Sequence, residues 1–378
     1  MLKLSIQEEF HTVDLATKRM VSSAPALLER LPAGAFVGAA KESTVGIVTS
    51  PHADLTAARA ELVDLRGTLV YRAAGLRLGV LAGGTAPMMS TADVRTAPDA
   101  RYTTLDREWA EPARDWITCG THVHVEVENR DVAARALAWI TPHLSTLSAM
   151  SASSPFWAGR DTGYASWRRM CVERLPTAGP MGPLRSAREY DELIATLEAI
   201  GVAPDGDMFY PALRLSRQAP TLELRVCDAI ADVETTIAIA ALFRALCGYA
   251  CRAVAADRTP PLPSPMIARG AMWRAARSGL EHDLIDPVAA VTLPAATVVR
   301  GLVAEMAPYL RECGDLDAVE GAVEPLLARG SGAARQRRAA REGGLASVVD
   351  QVLAETMACV VVSDTAPPPA HPLDIARG

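Results

Sequence analysis

An α+β fold built on a mostly antiparallel sheet is what this 378-residue sequence predicts, and three observations predict it. Its strand-like segments alternate apolar and polar residues, the pattern of sheets with one face on a core. Strands and helices come in clusters rather than in strict β–α–β order, which disfavours a doubly wound parallel sheet. The composition is globular: 49% hydrophobic and 22% charged residues exclude a disordered or collagen-like chain.

In order, Leu2 to Val13 alternates, with Leu4, Ile6, Glu8 and Phe10 on one face and Ser5, Gln7, Glu9 and His11 on the other. Pro25 to Arg30 reads as a short helix with proline in its first turn. Thr44 to Thr49 reads as a strand, Leu55 to Ala74 as a helix by its apolar spacing, and Leu76 to Ala82 as a strand. Trp116 to Val127 alternates again. Val132 to Ser151 is helical and broken at Pro142, and residues 151–186 form a loop region rich in Gly, Pro and Ser. A helix over Ser186 to Ile200, strands over Phe209 to Leu215 and Thr221 to Cys227, and a long apolar helix over Val233 to Val254 follow. After the proline-rich break at residues 260–265, only helices are expected, ending near Ala358. The expectation is a single catalytic domain over residues 1–362 and a flexible tail over 363–378.

Composition narrows the function. A net charge of −6 argues against a nucleic-acid partner. Lysine occurs only at Lys3, Lys18 and Lys41, and Lys41 stands in Gly-Ala-Ala-Lys-Glu, which is not a phosphate-binding P-loop. The seven cysteines form no Cys-x-x-Cys pair and read as reduced thiols of a cytoplasmic protein. The first ten residues carry Glu8 and Glu9 and lack the apolar stretch of a signal peptide. The apolar run near Thr236 to Val254 is interrupted by Arg244 and Arg252, so it reads as a buried helix with no membrane role.

Four segments can carry chemistry. In Gln7-Glu8-Glu9, Gln7 and Glu9 share a strand face, and such carboxylates suit Mg²⁺ if a neighbouring strand adds more; a solvated strand end is the alternative. In Cys119-Gly-Thr-His-Val-His-Val, His122 and His124 project from one face roughly 7 Å apart. The run from Ser153 to Arg169 holds Arg160, Asp161, Tyr164, Arg168 and Arg169, which suit an anionic substrate or internal ion pairs. In Thr221-Leu-Glu-Leu-Arg-Val, Glu223 and Arg225 share a face, either as metal ligand beside phosphate-binding guanidinium or as an ion pair.

Taken together and in order, these segments resemble the carboxylate–amine ligase branch of the type 2 glutamate–cysteine ligase family. The resemblance runs from Ser5-Ile-Gln-Glu-Glu-Phe to the late Gly330-Ser-Gly-Ala-Ala-Arg-Gln-Arg. It implies a glutamine-synthetase-like fold, a curved antiparallel sheet forming a funnel flanked by helices. It also implies ATP with Mg²⁺ or Mn²⁺, activation of a carboxylate as an acyl phosphate, and attack by an amine to give a γ-glutamyl-type amide. The partners implied are small amino-acid-like carboxylates and amines, and a homo-oligomer is left open. By position, the resemblance makes Glu9, His122 and Glu223 metal-facing, gives His122, His124 and Arg225 to the nucleotide, and makes Glu223, Arg225 and Glu9 catalytic. Arg160, Tyr164, Arg168 and Arg214 then line the substrate funnel.

The sequence departs from this pattern at two carboxylates. Gln7 stands where the family usually has glutamate, and Gly46, in Val45-Gly46-Ile47, stands where it usually has another. The family's Gly-Thr-His-Pro turn is Gly84-Thr85-Ala86-Pro87, and Glu126 replaces a glycine. Two readings follow. One is an ATP-dependent ligase. The other is a diverged member that transfers or hydrolyses an amide without nucleotide.

Overall fold

Period-two alternation becomes the long strand β1 (Leu4–Asp14), which lies inside a seven-stranded sheet. The computed structural model describes residues 1–179 and 181–360, so the tail expected over 363–378 lies outside the described residues. After β1 come α1 (Ala24–Leu28), β2 (Phe36–Gly38), β3 (Thr44–Val48), α2 (Leu55–Ala74) and β4 (Leu78–Leu81). Then follow α3 (Ala100–Glu108), α4 (Glu111–Arg114), β5 (Gly120–Glu126), α5 (Arg130–Ile140) and α6 (Leu144–Ser151). A small hairpin, β6 (Phe156–Trp157) and β7 (Arg160–Asp161), leads into α7 (Trp167–Val172) and α8 (Ala187–Ala199). The chain continues through β8 (Leu213–Leu215), β9 (Thr221–Asp228), α9 (Val233–Ala255) and α10 (Pro265–Ser278). It closes with the hairpin β10 (Asp283–Asp286) and β11 (Val291–Pro294), then α11 (Ala295–Cys313), α12 (Leu316–Arg329) and α13 (Gly332–Met357).

The large sheet runs β2-β3-β1-β5-β9-β8, with β4 paired to β1 as well, and every one of these pairings is antiparallel. Local chemistry sets the helix starts. Asp54 caps α2 by accepting the Thr56 N–H, Asp232 caps α9 through Glu234, and Ser186 caps α8 through Glu189. Pro142 sits in a 3₁₀ turn that divides α5 from α6. On one sheet face Leu4, Ile6 and Phe10 join a core with Leu62 and Leu69 of α2 and Ile239 and Phe243 of α9. α9 is long and apolar enough to cross a membrane, but 78% of its apolar window is buried in the fold, as a core helix requires.

Four stretches differ from expectation. Residues 100–114 form α3 and α4, for which the sequence offered little apolar periodicity. The loop over 151–186 contains β6, β7 and α7. The strand expected over Phe209 to Leu215 shortens to Leu213–Leu215, because Pro211 has no N–H to give a ladder. The helix-only end is interrupted by the β10–β11 hairpin, whose turn forms where Asp286 accepts the N–H groups of Val288 and Ala289.

Candidate active site

Strand phase puts the polar residues of four strands on one face. β1 and β5 pair Gln7 with His122 and Ser5 with His124; β5 and β9 pair His124 with Glu223; β8 and β9 pair Arg214 with Glu223. Between Thr121 and Val123 the β5–β9 register shifts, because β9 carries an extra residue, and the bulge brings Arg225 to the level of His122. The result is a polar cavity of about 1240 Å³ lined by Gln7, Glu9, His122, His124, Arg168, Arg214, Glu223 and Arg225. A separate, mainly apolar cavity of about 820 Å³ beside Met272 takes in only Arg169 of the residues singled out in the sequence.

Glu223, buried, is held through both carboxylate oxygens in the cavity. Its Oε2 accepts the Arg214 Nε–H at 2.6 Å, and Oε1 is held by Arg225. Burial alone raises this carboxyl's pKa, but the guanidinium of Arg225, then that of Arg214, outweighs it and holds the group well below the usual carboxylate range. Arg225 also lies over the Tyr210 ring, 5.7 Å from its centroid. Glu9 Oε2 accepts the Gly120 N–H at 2.8 Å, and burial raises its pKa despite that bond and the nearby Arg168 and Arg225.

The histidines are held differently. His124 Nδ1 lies 3.2 Å from Thr221 Oγ1. His122 is 2% exposed, and neither ring nitrogen has a hydrogen-bond partner among the described residues. Burial, then Arg225, pushes its pKa well below the ordinary value, so the ring is neutral at neutral pH. Arg168 enters from α7 and spans Gly120, where a Cβ would collide with its guanidinium. It donates to the Arg225 and Val226 carbonyls and lies 4.0 Å from the buried Asp228 carboxylate, while its buried Nε has no partner among the described residues.

Behind this floor, buried Asp228 ties the loop to the sheet. It accepts the Ser153 N–H and the hydroxyls of Ser154 and Ser166. Gly84 passes so close that a Cβ there would lie 2.6 Å from the Asp228 carboxyl carbon. The late Gly-Ser-Gly-Ala-Ala-Arg-Gln-Arg segment completes the tie, with Gln336 Nε2 donating to the Ser153 carbonyl at 2.7 Å.

The geometry thus unites Glu9, His122, His124, Arg168, Arg214, Glu223 and Arg225. It does not bring Arg160 and Tyr164 to the cavity, a correction to the expected funnel. Arg160 is exposed on β7, and the Tyr164 hydroxyl accepts from Trp273 Nε1. Their loop turns away because Arg337 binds the Asp161 carboxylate and the Tyr164 carbonyl. Sequence reasoning missed Arg101 and Tyr102 of α3, and Asp207 and Arg217 from the neighbouring loops, which form the cavity rim. No motif marks them; Arg101 lies 3.7 Å from Asp205 and 3.9 Å from Asp207 only after the chain has folded.

The expected metal ligands Glu9, His122 and Glu223 share the cavity without forming a cation site. Among the described residues no three His, Cys, Asp or Glu side chains converge as a metal cluster. Both oxygens of Glu223 are taken by guanidinium groups, and Gln7 presents a neutral amide. Gly46 faces the cavity opposite Glu9, and the space a side chain would need is filled by Val37, whose Cγ2 lies 2.9 Å from a Cβ built there. A hard cation needs anionic oxygen, so this residue set does not fit one.

Comparison with known proteins accords with this architecture. A Francisella tularensis glutamate–cysteine ligase, solved in complex with AMP, superposes with a TM-score of 0.68 at 14% identity, covering 97% of this chain and 95% of that one. The ligase PafA, solved with the ubiquitin-like protein Pup, gives 0.51 at 10% identity over 96% of this chain and 77% of that one. The fold is therefore the glutamine-synthetase-like fold of the glutamate–cysteine ligases. Residues 5–351 match Glutamate-cysteine ligase family 2 (GCS2), and the chain belongs to that family. "Putative glutamate–cysteine ligase 2-3" of Frankia alni is 43% identical over 354 residues, covering 93% of this chain and 41% of the relative. "Putative glutamate–cysteine ligase 2-2" of Mycolicibacterium smegmatis is 41% identical over 367 residues, covering 97% and 92%. This chain spans about two fifths of the length of the Frankia relative and nearly all of the Mycolicibacterium one.

Proposed function

We propose that this protein is an ATP-dependent carboxylate–amine ligase acting on small amino-acid-like substrates. The observation that carries the reading is the basic lining of the cavity. It holds six basic side chains (Lys41, Arg101, Arg168, Arg214, Arg217, Arg225) against three acidic ones (Glu9, Asp207, Glu223), with Lys41, Arg101, Arg168 and Arg217 also paired to carboxylates outside the lining, Asp106, Asp205, Asp228 and Glu198. What the cavity offers a ligand is guanidinium N–H, the donor set that phosphates and carboxylates take bidentately. Family membership and the AMP bound to the similarly folded Francisella ligase support the nucleotide.

In the first step a substrate carboxylate oxygen attacks the γ-phosphorus of ATP, ADP leaves, and an acyl phosphate forms. In the second the amine attacks the carbonyl carbon, phosphate leaves, and the nitrogen sheds a proton. Arg225, fixed by Glu223 and stacked on Tyr210, offers a preorganised fork to the developing phosphate charge. Glu223 is locked between two arginines, so Glu9, with a single bond from Gly120, is the carboxylate free to receive the amine proton. No step is assigned to Mg²⁺ or Mn²⁺, because the residues present do not make its site.

That misfit favours a second reading, amide transfer or hydrolysis without nucleotide, with Glu9 as base. Incubation with ATP and mixed amino acids, with ADP and new amides followed by chromatography and mass spectrometry, separates the two. The ligase forms ADP and amide in equal amounts; amide turnover with no ADP leaves only the second reading. Glu223→Gln keeps the shape but not the charge that fixes Arg214 and Arg225, and activity falls roughly 10²–10³-fold with unchanged far-UV circular dichroism. Full activity in the folded variant removes Glu223 from the site.

A further inference from the structure

Two buried groups on the cavity wall are built to bind something the protein itself does not supply. Arg168 is 5% exposed and already gives two N–H groups to carbonyls, yet its Nε donor has no partner. His122 is 2% exposed with both nitrogens unpartnered, and Arg168 and Arg225 lie within electrostatic reach of its ring. Buried donors are normally satisfied, so unmatched ones in a cavity mark a missing acceptor. The carboxylates that would draw a cation between these groups and an incoming anion are gone: position 7 is an amide, position 46 has no side chain, and Glu223 is occupied. Donors arriving from a helix-borne guanidinium and a strand-borne imidazole suit the tetrahedrally disposed oxygens of a phosphoryl group better than the two coplanar oxygens of a carboxylate.

We infer that a phosphoryl anion binds here directly on Arg168 and His122, with no divalent ion bridging it to the protein. This rests on the ligase reading for its source, the nucleotide or the acyl phosphate, but not for its test. Arg168 donates through its free Nε and His122 through one ring N–H, so one ligand takes a donor from each side chain.

Calorimetric titration of inorganic pyrophosphate into the full chain, in EDTA and again in excess Mg²⁺, tests this without catalysis. The expected result is binding in EDTA with an affinity within about 3-fold of that in Mg²⁺. Gln7→Glu, nearly isosteric, returns one negative charge to the wall; it weakens the EDTA binding by about 10-fold or more and makes the remainder depend on Mg²⁺. A parallel titration of L-glutamate in EDTA, and its competition with pyrophosphate, distinguishes a carboxylate site from a phosphoryl one. Binding of pyrophosphate only with Mg²⁺, no binding in either condition, or full displacement by glutamate overturns the inference. The ligase reading is judged separately by ADP formation, so a protein that forms ADP but needs Mg²⁺ for pyrophosphate refutes the inference alone. One that binds pyrophosphate in EDTA but forms no ADP refutes the ligase reading alone.

Discussion

Glu8 and Glu9 are neighbours on one strand and live in opposite electrostatic worlds. On the helix side, Glu8 accepts from Arg66 Nε at 2.8 Å and Nη2 at 2.6 Å and from the Thr236 hydroxyl at 3.0 Å. Arg66 gives two further N–H groups to the Ile230 and Ala231 carbonyls. Every formal charge there is matched and the pair is dry. On the cavity side, among the described residues, Glu9 has one backbone bond and Arg168 and His122 keep free donors, in a lining of six basic and three acidic side chains. One face uses charge to close a structure; the other leaves it open for a ligand. Saturation of hydrogen bonds, rather than burial or charge alone, separates the two roles.

The largest expected effect breaks the closed side. Arg66→Ala strands the Glu8 carboxylate in the core and lowers stability by roughly 3–5 kcal/mol, read from the urea midpoint. A loss below about 1 kcal/mol would show that water reaches Glu8 and that the two faces are less different than described. Next, Gly120→Ala pushes a methyl into the Arg168 guanidinium on the open side. Overpacking costs about 1–3 kcal/mol, and moving the fork lowers pyrophosphate affinity by about 10-fold or more, followed by calorimetry. Unchanged affinity removes Arg168 from the anion site.

The smallest effect concerns the loop that turned away. Arg337→Met frees Asp161, a half-exposed pair worth roughly 0.2–1 kcal/mol after solvent screening. The Arg337 hydrogen bond is the main cause holding the Asp161 carboxyl below its ordinary value of 3.8. A depressed carboxyl adds stability above its unfolded pKa and loses it as pH falls through the folded one. Parent and variant therefore differ above about pH 4 and converge in acid, as melting curves across pH would record.

Much of this contrast was legible before folding. Strand period two separated Glu8 from Gln7 and Glu9, put His122 beside His124, and set Glu223 next to Arg225. The α2 limits, Leu55 and Ala74, followed from apolar spacing. Period cannot report a bulge, so the approach of Arg225 to His122 was invisible. Nor can it report what lies across the sheet, so the second guanidinium on Glu223, from Arg214, emerged only from the register of β8 on β9. The loop from Ser153 to Arg169 misled because its polar groups answer to partners far along the chain, the Asp161 carboxylate to Arg337 and the Ser153 carbonyl to Gln336. Arg101 and Arg217 were missed for the same reason.

Gly46 imposes an order on how this cavity could change. A carboxylate returning to that position displaces the Val37 methyl, which stands 2.9 Å from where its Cβ would be, so the substitution is strained unless residue 37 changes too. A smaller residue at 37 makes room, but on its own it leaves a gap on the edge of the sheet with nothing yet to fill it. Each intermediate is worse packed than either end. The strand edge therefore works as a ratchet: once a valine leaned over a glycine here, sequences that keep the arrangement pack better than their single-step neighbours, whatever ligand the cavity serves.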